Sequence, residues 1–324
     1  MTLRRNPLEL AGWLLAALAV AFAAALAVDQ RVIEGAPAWL KPTKFAVSTS
    51  IYSFTLAWIL RWLPEWPRLR RVAATTTAIV FVVEVALIAG QAARGTTSHF
   101  NTSSIGNAVV FSVMGVSILL QTIVAGAVAV ALWRQPFADR AMGWALRLGM
   151  SIAVAGASIG GVMTQPTRAQ LEAVRTTHVM PRSGAHAVGG VDGGPGLPGT
   201  GWSTQHGDLR VPHFVGLHAM QVLPLVALLL TRGRRQSGPR SSTHPGGSDD
   251  GLTTRAVVGA SVSYAALTVI LLAQALLGQS VVAPAGPVLV ALSVWALGSA
   301  TWAFVTGRRL AADPTFGAAR HGVG

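Results

Sequence analysis

Eight apolar stretches, each close to the length that crosses a membrane, constrain this chain more than any other feature. A transmembrane α-helix needs roughly 20 mostly apolar residues, because the hydrocarbon core of a bilayer is about 30 Å thick. The connections between the stretches carry most of the charge. The sequence therefore predicts an all-α, polytopic transmembrane helical bundle with spans near residues 8–28, 44–63, 72–93, 106–132, 143–163, 211–231, 256–278 and 285–306.

The composition favours a membrane as the solvent for most of the chain. Of the 324 residues, 52% are hydrophobic and 11% are charged, whereas soluble domains carry about 25% charged residues. The chain has no cysteine, which excludes disulfides, iron–sulfur clusters and thiolate zinc sites. The net charge of +13 is spread between the apolar stretches, so we expect no nucleic-acid partner.

The distribution of basic residues predicts the orientation of the bundle. About two thirds of the 25 Lys and Arg residues fall at the termini and in alternate connections, and cytoplasmic segments carry such an excess. An even number of spans then places both termini in the cytoplasm. The strong preference for arginine over lysine suggests a bacterial source, and hence the bacterial cytoplasmic (inner) membrane.

Three segments lie outside the predicted spans. Residues 164–210 form a long external loop, and its glycine-rich part, 189–198, leaves two interpretations open: a mobile loop, or backbone packed closely over the mouth of the bundle. Residues 232–254 are rich in Gly, Ser, Pro and Arg, which is typical of a flexible cytoplasmic linker. We expect the tail, 311–324, to be disordered.

Polar side chains deep in the spans are candidates for function, because each is expensive in hydrocarbon. Glu84 is the only acidic residue deep within a predicted span, about 14 Å below its external end. Gln91 follows seven residues later and returns to the same helix face. The alternative is a protonated glutamate that only helps neighbouring helices to pack.

Histidines and amides gather near the same external side. His213, His218 and Gln221 follow the start of the sixth span, and the depths of His218 and Gln221 approach that of Glu84. His99, Asn101 and Asn107 lie around the start of the fourth span. Imidazole commonly binds metals and heme iron, which makes the three histidines candidate ligands. His213 and His218 are about 140° apart around a helix, so they do not readily chelate one metal together.

Lys41 and Lys44 are the only lysines in the chain, and both precede or begin the second span. The N-terminus of a helix favours anions, so we predict that these two residues, with Arg210, hold an anionic headgroup, a carboxylate or a heme propionate. The alternative is that the lysines anchor the helix at the membrane interface beside Trp39.

Four sequence strings resemble a family of bacterial multi-pass integral membrane proteins known only as uncharacterised. The resemblance extends over about Trp39 to Pro224, and it implies membrane topology without implying an activity. The string at 207–221, GDLRVPHFVGLHAMQ, is the most specific; the other three lie at 39–45, 94–101 and 192–198.

Two functional hypotheses follow from these residues. The first is a heme or divalent-metal protein with a redox role, in which His99, His213 and His218 bind the metal. The alternative is a proton-coupled transporter or channel for a small polar or anionic solute. Its ligand-binding or proton-coupling residues would be Glu84, Gln91, Asn101, Asn107 and Gln221. A membrane enzyme is less well supported, because no catalytic constellation is recognisable.

Overall fold

The computed structural model of the protein describes residues 6–235 and 249–312. These residues form nine α-helices and four two-residue strands, which confirms the prediction of an all-α helical bundle. The elements are α1 (Pro7–Val28), β1 (Val32–Ile33), β2 (Ala36–Pro37), α2 (Leu40–Ile59), a 3-10 turn (Leu60–Trp62), α3 (Pro67–Ala93), α4 (Ile105–Arg134), α5 (Arg140–Met163), α6 (Arg168–Thr177), β3 (Ala187–Val188), β4 (Gly207–Asp208), α7 (Arg210–Arg235), α8 (Asp249–Leu276) and α9 (Gly286–Ala312).

Seven helices in the described ranges are long and apolar enough to cross a membrane: α1, α3, α4, α5, α7, α8 and α9. Helix α2 is 20 residues long, but it is more polar than these seven. Two of its polar side chains face neighbouring helices, since Ser50 Oγ donates to the Gly12 carbonyl at 2.8 Å and Ser53 is fully buried. One face of α2 therefore packs against the bundle, mainly against α1, while Val47 and Ile51 are 45% and 47% exposed.

Short polar residues begin three of the long helices. Asn6 precedes Pro7 and accepts a hydrogen bond from the Leu8 backbone N–H, while Ser104 and Asp139 play the same part for α4 and α5. The first N–H groups of a helix have no partner within the helix, and such caps supply one. Local sequence thus fixes where these helices begin.

Helices α5 and α7 make the closest contact in the bundle. A methyl group added to Gly156 would lie 2.7 Å from Gly216 Cα, and one added to Gly149 would lie 2.9 Å from the Ala219 carbonyl oxygen. Glycine lets two backbones approach this closely because it has no Cβ. The pair forms the centre of the fold, with α8 packed against both helices.

Helices α4 and α5 share a large buried contact at one end. Their contact belongs to a buried apolar cluster formed by the second half of α4 and the first half of α5. Arg147 closes this end, because its guanidinium donates to the carbonyls of Leu132 and Gln135 at 3.0 and 2.7 Å and lies over the rings of Phe137 and Trp144. Arg147 therefore caps the C-terminus of α4.

At the opposite end, residues 164–209 form a folded segment that we call the cap. It contains α6 and the antiparallel pair β3–β4, and it is tied to the bundle by backbone hydrogen bonds such as Ala185 N–H to the Met163 carbonyl. Of the two interpretations of this region, the structure has backbone packed over the mouth of the bundle.

The helices next to the predicted linker and tail are longer than expected. α7 continues to Arg235 and α8 begins at Asp249, so the ends of the predicted linker, 232–254, are helical. α9 extends to Ala312. The rest of that linker, 236–248, and the rest of the predicted tail, 313–324, lie outside the described residues.

Candidate functional site

A cavity of about 1490 Å³ lies beneath the cap, between α2, α3, α4, α5 and α7. Sites for small molecules usually measure about 300–1,000 Å³, so this cavity is large. We call the end of the bundle that holds it the cap end. Of the predicted site residues, seven line the cavity: Lys41, Lys44, Glu84, His99, Arg210, His213 and His218.

Glu84 and His99 face each other at the α3 side of the cavity. Glu84 is 1% exposed, and its Oε1 lies 3.9 Å from His99 Nε2, which is too long for a direct hydrogen bond. Its other oxygen, Oε2, has no hydrogen-bond partner among the described residues. Burying a carboxyl oxygen without a hydrogen-bond partner is energetically costly. This arrangement is consistent with a proton or a ligand that binds reversibly at Glu84.

Burial keeps His99 neutral. It holds the pKa of this histidine well below its ordinary value, and the charges of Lys41, His186 and His213 act in the same direction. Its Nδ1 lies 3.1 Å from Ser98 Oγ. His99 therefore presents a neutral imidazole to the cavity, with Nε2 turned toward Glu84.

His186 and Asp192 form a second pair, within the cap. Asp192 Oδ2 lies 3.0 Å from His186 Nδ1, and Asp192 Oδ1 accepts from the backbone N–H groups of His186 and Ala187. Burial opposes the charge of Asp192, but these hydrogen bonds hold its pKa below the ordinary value. Burial lowers the pKa of His186 more than Asp192 raises it.

His213 and His218 line the cavity from α7. The ring of His213 is fixed by the contact between α5 and α7, since Nδ1 donates to the Gly156 carbonyl at 2.8 Å. A neutral imidazole that donates through Nδ1 presents Nε2 as an acceptor. Their spacing places the two histidines about 140° apart around the helix, yet both border the same large cavity.

The basic residues of the cavity differ in their partners. Arg210 is paired with the fully buried carboxylate of Asp208 at 2.6 Å and also donates to the Gly201 carbonyl. Lys44 Nζ donates to the Thr200 carbonyl at 3.0 Å. Lys41 makes no hydrogen bond or ion pair within residues 6–235 and 249–312, although the charges of Glu34 and Glu84 lie nearby.

The predicted amide residues do not belong to the cavity. Gln91 donates to Asn107 Oδ1 at 3.0 Å, and Asn101 Nδ2 donates to Thr96 Oγ1 and to the Thr97 carbonyl. These buried side chains join the ends of α3 and α4 and satisfy each other. Gln221 is also absent from the cavity wall. None of these four residues lines the cavity, and their role in ligand binding or proton coupling stays a prediction.

Phe100 packs between the cap and the loop that connects α3 to α4. It is 2% exposed, and its ring packs against those of Phe111 and His186, at centroid distances of 5.8 and 4.8 Å, and beneath the Arg182 guanidinium. Its backbone has φ of 61°, a conformation that a bulky residue adopts only at a cost. The packing of the ring compensates for that strain.

Sequence reasoning missed the pair His186 and Asp192, together with Arg182, which bridges Asp192 and Glu34. These residues lie in a loop, where no periodic rule relates position to direction. One signal was available, because the loop combines histidine, arginine and aspartate within eleven residues in an otherwise weakly charged chain.

A bare metal ion has no ready site here. Within residues 6–235 and 249–312, no three His, Cys, Asp or Glu side chains are arranged to hold one. A heme needs only one or two axial ligands, so this finding does not bear on it, and heme binding stays a prediction. His213 has the geometry of such a ligand, since a metal-binding histidine usually donates its other ring N–H to a carbonyl or carboxylate.

Comparisons of the chain with protein-family models, with curated proteins and with solved structures gave no match.

Proposed function

We propose that this chain is an integral protein of a bacterial cytoplasmic membrane with eight spans, α2 being the eighth. The excess of basic residues at the termini and in alternate connections supports a cytoplasmic location for both termini. The cap and the cavity then face the exterior.

The absence of cysteine makes this topology simple to test. Ala169 in α6 and Glu65 before α3 are exposed and lie at opposite ends of the bundle. Single-cysteine variants Ala169→Cys and Glu65→Cys are treated in intact cells with a membrane-impermeant maleimide. We expect labelling of Ala169→Cys alone, with Glu65→Cys labelled only after lysis. The reverse pattern would invert the proposed orientation.

We further propose that the cavity binds an anionic ligand from the external side and that the protein carries it with a coupled proton. The single observation that supports this most is Lys41, which lines the cavity without a partner in the described part of the chain. A half-buried ammonium group is costly unless something pairs with it, and an anionic ligand would be that partner.

The neighbouring residues favour the same conclusion over an anchoring role for Lys41. Trp39, the proposed companion in the membrane interface, instead donates to Asp29 at 2.7 Å and stacks on Phe22. Arg210 and Lys44 add positive charge to the same wall of the cavity. Glu84 supplies a carboxyl group that can take up or release a proton when the charge beside it changes.

Thermal unfolding of the purified protein, with inorganic phosphate and succinate as probes, tests the binding step. We expect both anions to raise Tm, because a ligand that binds only the folded state stabilises it. Lys41→Gln should weaken binding about ten- to a hundredfold, the usual effect of losing a hydrogen bond to a charged group.

The matched control is Arg168→Gln, which removes an exposed charge on the same side of the protein without altering the cavity. Its response to both anions should equal that of the unmodified protein. Equal responses from Lys41→Gln and the control would refute the proposed role of Lys41. Failure of both anions to shift Tm in any variant would count against an anion site.

Heme binding is a second candidate, supported by the hydrogen bond from His213 to Gly156. Purified protein that binds heme should show an intense absorption band near the visible range, and His213→Ala should weaken or shift that band. A colourless protein after expression with added heme would eliminate this candidate.

A further inference from the structure

The cavity is not enclosed on all sides. Toward the cap it is bordered by charged and histidine side chains, whereas α4 contributes an apolar surface from Phe111 to Leu119. One cavity thus joins a charged region to an apolar region. A small water-soluble anion would use the first region and leave the second unoccupied.

The apolar region opens to the side between α4 and α5. The large apolar cluster that these helices share lies in their halves away from the cap, and residues of both cap-end halves line the cavity. Phe111, packed on Phe100, bounds the gap on the cap side. We call this gap the lateral window and define it by Val116 and Leu119 on α4 and Ser158 and Gly161 on α5.

Residues of the lateral window are exposed although they line the cavity. Val116 is 68% exposed and Leu119 is 61% exposed, and a side chain added at Gly161 would meet nothing within 4 Å. Val116 and Leu119 lie about 17 and 21 Å along α4 from its cap end. In a bilayer with a hydrocarbon core of about 30 Å, this depth corresponds to the acyl chains.

From this geometry we infer that the ligand is an amphiphile, with an anionic headgroup in the charged region and a hydrocarbon chain that leaves through the lateral window. This inference rests on the proposed anion-binding function and narrows the class of its ligand. Lys41 and Arg210 contact the headgroup. His213 Nε2 accepts a hydrogen bond, so a headgroup that carries a hydroxyl, such as a phosphate monoester, is favoured over a fully deprotonated anion.

Dodecyl phosphate is the probe, compared with inorganic phosphate on protein purified in dodecyl maltoside. The detergent supplies the same chain on an uncharged headgroup, so a response to added dodecyl phosphate requires the anion. We expect dodecyl phosphate to raise Tm at concentrations at least about tenfold lower than phosphate, since burying two methylene groups alone gives about that factor. Lys41→Gln should weaken both responses, by the same factor of about ten to a hundred proposed above.

A bulky residue in the lateral window separates this inference from the proposed function. Ser158→Trp should abolish the advantage of dodecyl phosphate and leave the response to phosphate unchanged. Ala155→Trp is the control, because Ala155 is exposed one turn earlier on α5 and does not line the cavity. Gly115→Trp, where an added side chain meets open space on α4, repeats the test if Ser158→Trp does not fold.

The possible results lead to different conclusions. Equal responses to the two probes, or an advantage of dodecyl phosphate that survives both tryptophan variants, would overturn the amphiphile and leave the anion site standing. A dodecyl phosphate effect that is only destabilising, in every variant alike, would also overturn it. No response to either probe would overturn the anion site and the amphiphile together.

Discussion

Asp192 holds His186 against the roof of the cavity, with its Oδ2 3.0 Å from the Nδ1 of the imidazole. This pair links the cap to the cavity, because His186 also packs on Phe100 at a centroid distance of 4.8 Å. The stability of the cap should therefore depend on the ionisation of these two side chains.

We predict that the protein loses stability as pH falls below about 6.5. The pKa values of His99 and His186 are lowered in the folded protein, so the unfolded chain binds more protons between its own histidine pKa and the folded one. Stability therefore decreases as the pH falls through that window. The pKa of Asp192 is lowered too, and its contribution is lost at still lower pH. Tm measured from about pH 8 to about pH 4 would reveal this slope.

The variant His186→Asn tests the assignment. It should flatten part of the slope between about pH 6.5 and about pH 5, the range in which histidines titrate. His178, whose side chain is exposed outside the cavity, provides the control, because His178→Asn should leave the slope intact. A slope that neither His186→Asn nor His99→Asn alters would contradict the role of these buried imidazoles.

Glu84→Gln should uncouple proton exchange from ligand binding. Glutamine keeps the size of the side chain but cannot ionise, and Glu84 Oε2 has no partner to lose among the described residues. Calorimetric titration with succinate at about pH 8, where both its carboxyl groups are fully ionised, in two buffers of different ionisation enthalpy reports the protons exchanged by the protein. We expect this number to be non-zero for the unmodified protein and near zero for Glu84→Gln. An unchanged number would assign the proton to another group.

Gly156→Ala should destabilise the bundle by about 1–3 kcal/mol, the usual cost of overpacking a close contact. The added methyl group would lie 2.7 Å from Gly216 Cα, and backbone cannot yield as a side chain can. Gly126→Ala is the matched control, since a methyl group there meets nothing within 4 Å. Thermal unfolding compares the two, and equal Tm values would argue against the tight contact of α5 with α7.

Asn107→Ala should cost about 1–3 kcal/mol of stability, because the buried amide of Gln91 loses its shorter hydrogen bond and keeps only the one to the Thr97 carbonyl at 3.3 Å. We expect the response to phosphate to persist, since Asn107 does not line the cavity. Thermal unfolding with and without phosphate measures both effects. Loss of phosphate binding at unchanged Tm would instead indicate that Asn107 takes part in ligand binding.

Depth along a helix was the part of the site that sequence could predict. Glu84, His218 and Gln221 were placed near one level by the rise per residue; Glu84 and His218 border the cavity, whereas Gln221 does not. Lys41 was singled out because lysine is rare in this chain. These predictions depended on position along an axis, which apolar stretches define well.

The partner of a buried polar group was the part that sequence could not predict. Gln91 and Asn107 were expected to face a ligand, but each satisfies the other. The cost of burying an amide shows that a partner is needed without identifying it. His186 and Asp192 were missed for a related reason, since the fold of the cap brings them together through contacts that no helical period describes.

The approach of α5 to α7 has a consequence for His213 beyond stability. The imidazole is aimed by a carbonyl on the other helix, at Gly156, one position from the wall of the cavity. The gap between two main chains, and not only the choice of rotamer, thus sets where Nε2 points. Substitutions that push these helices apart will change the direction of His213 Nε2, although they lie at positions that contact no ligand.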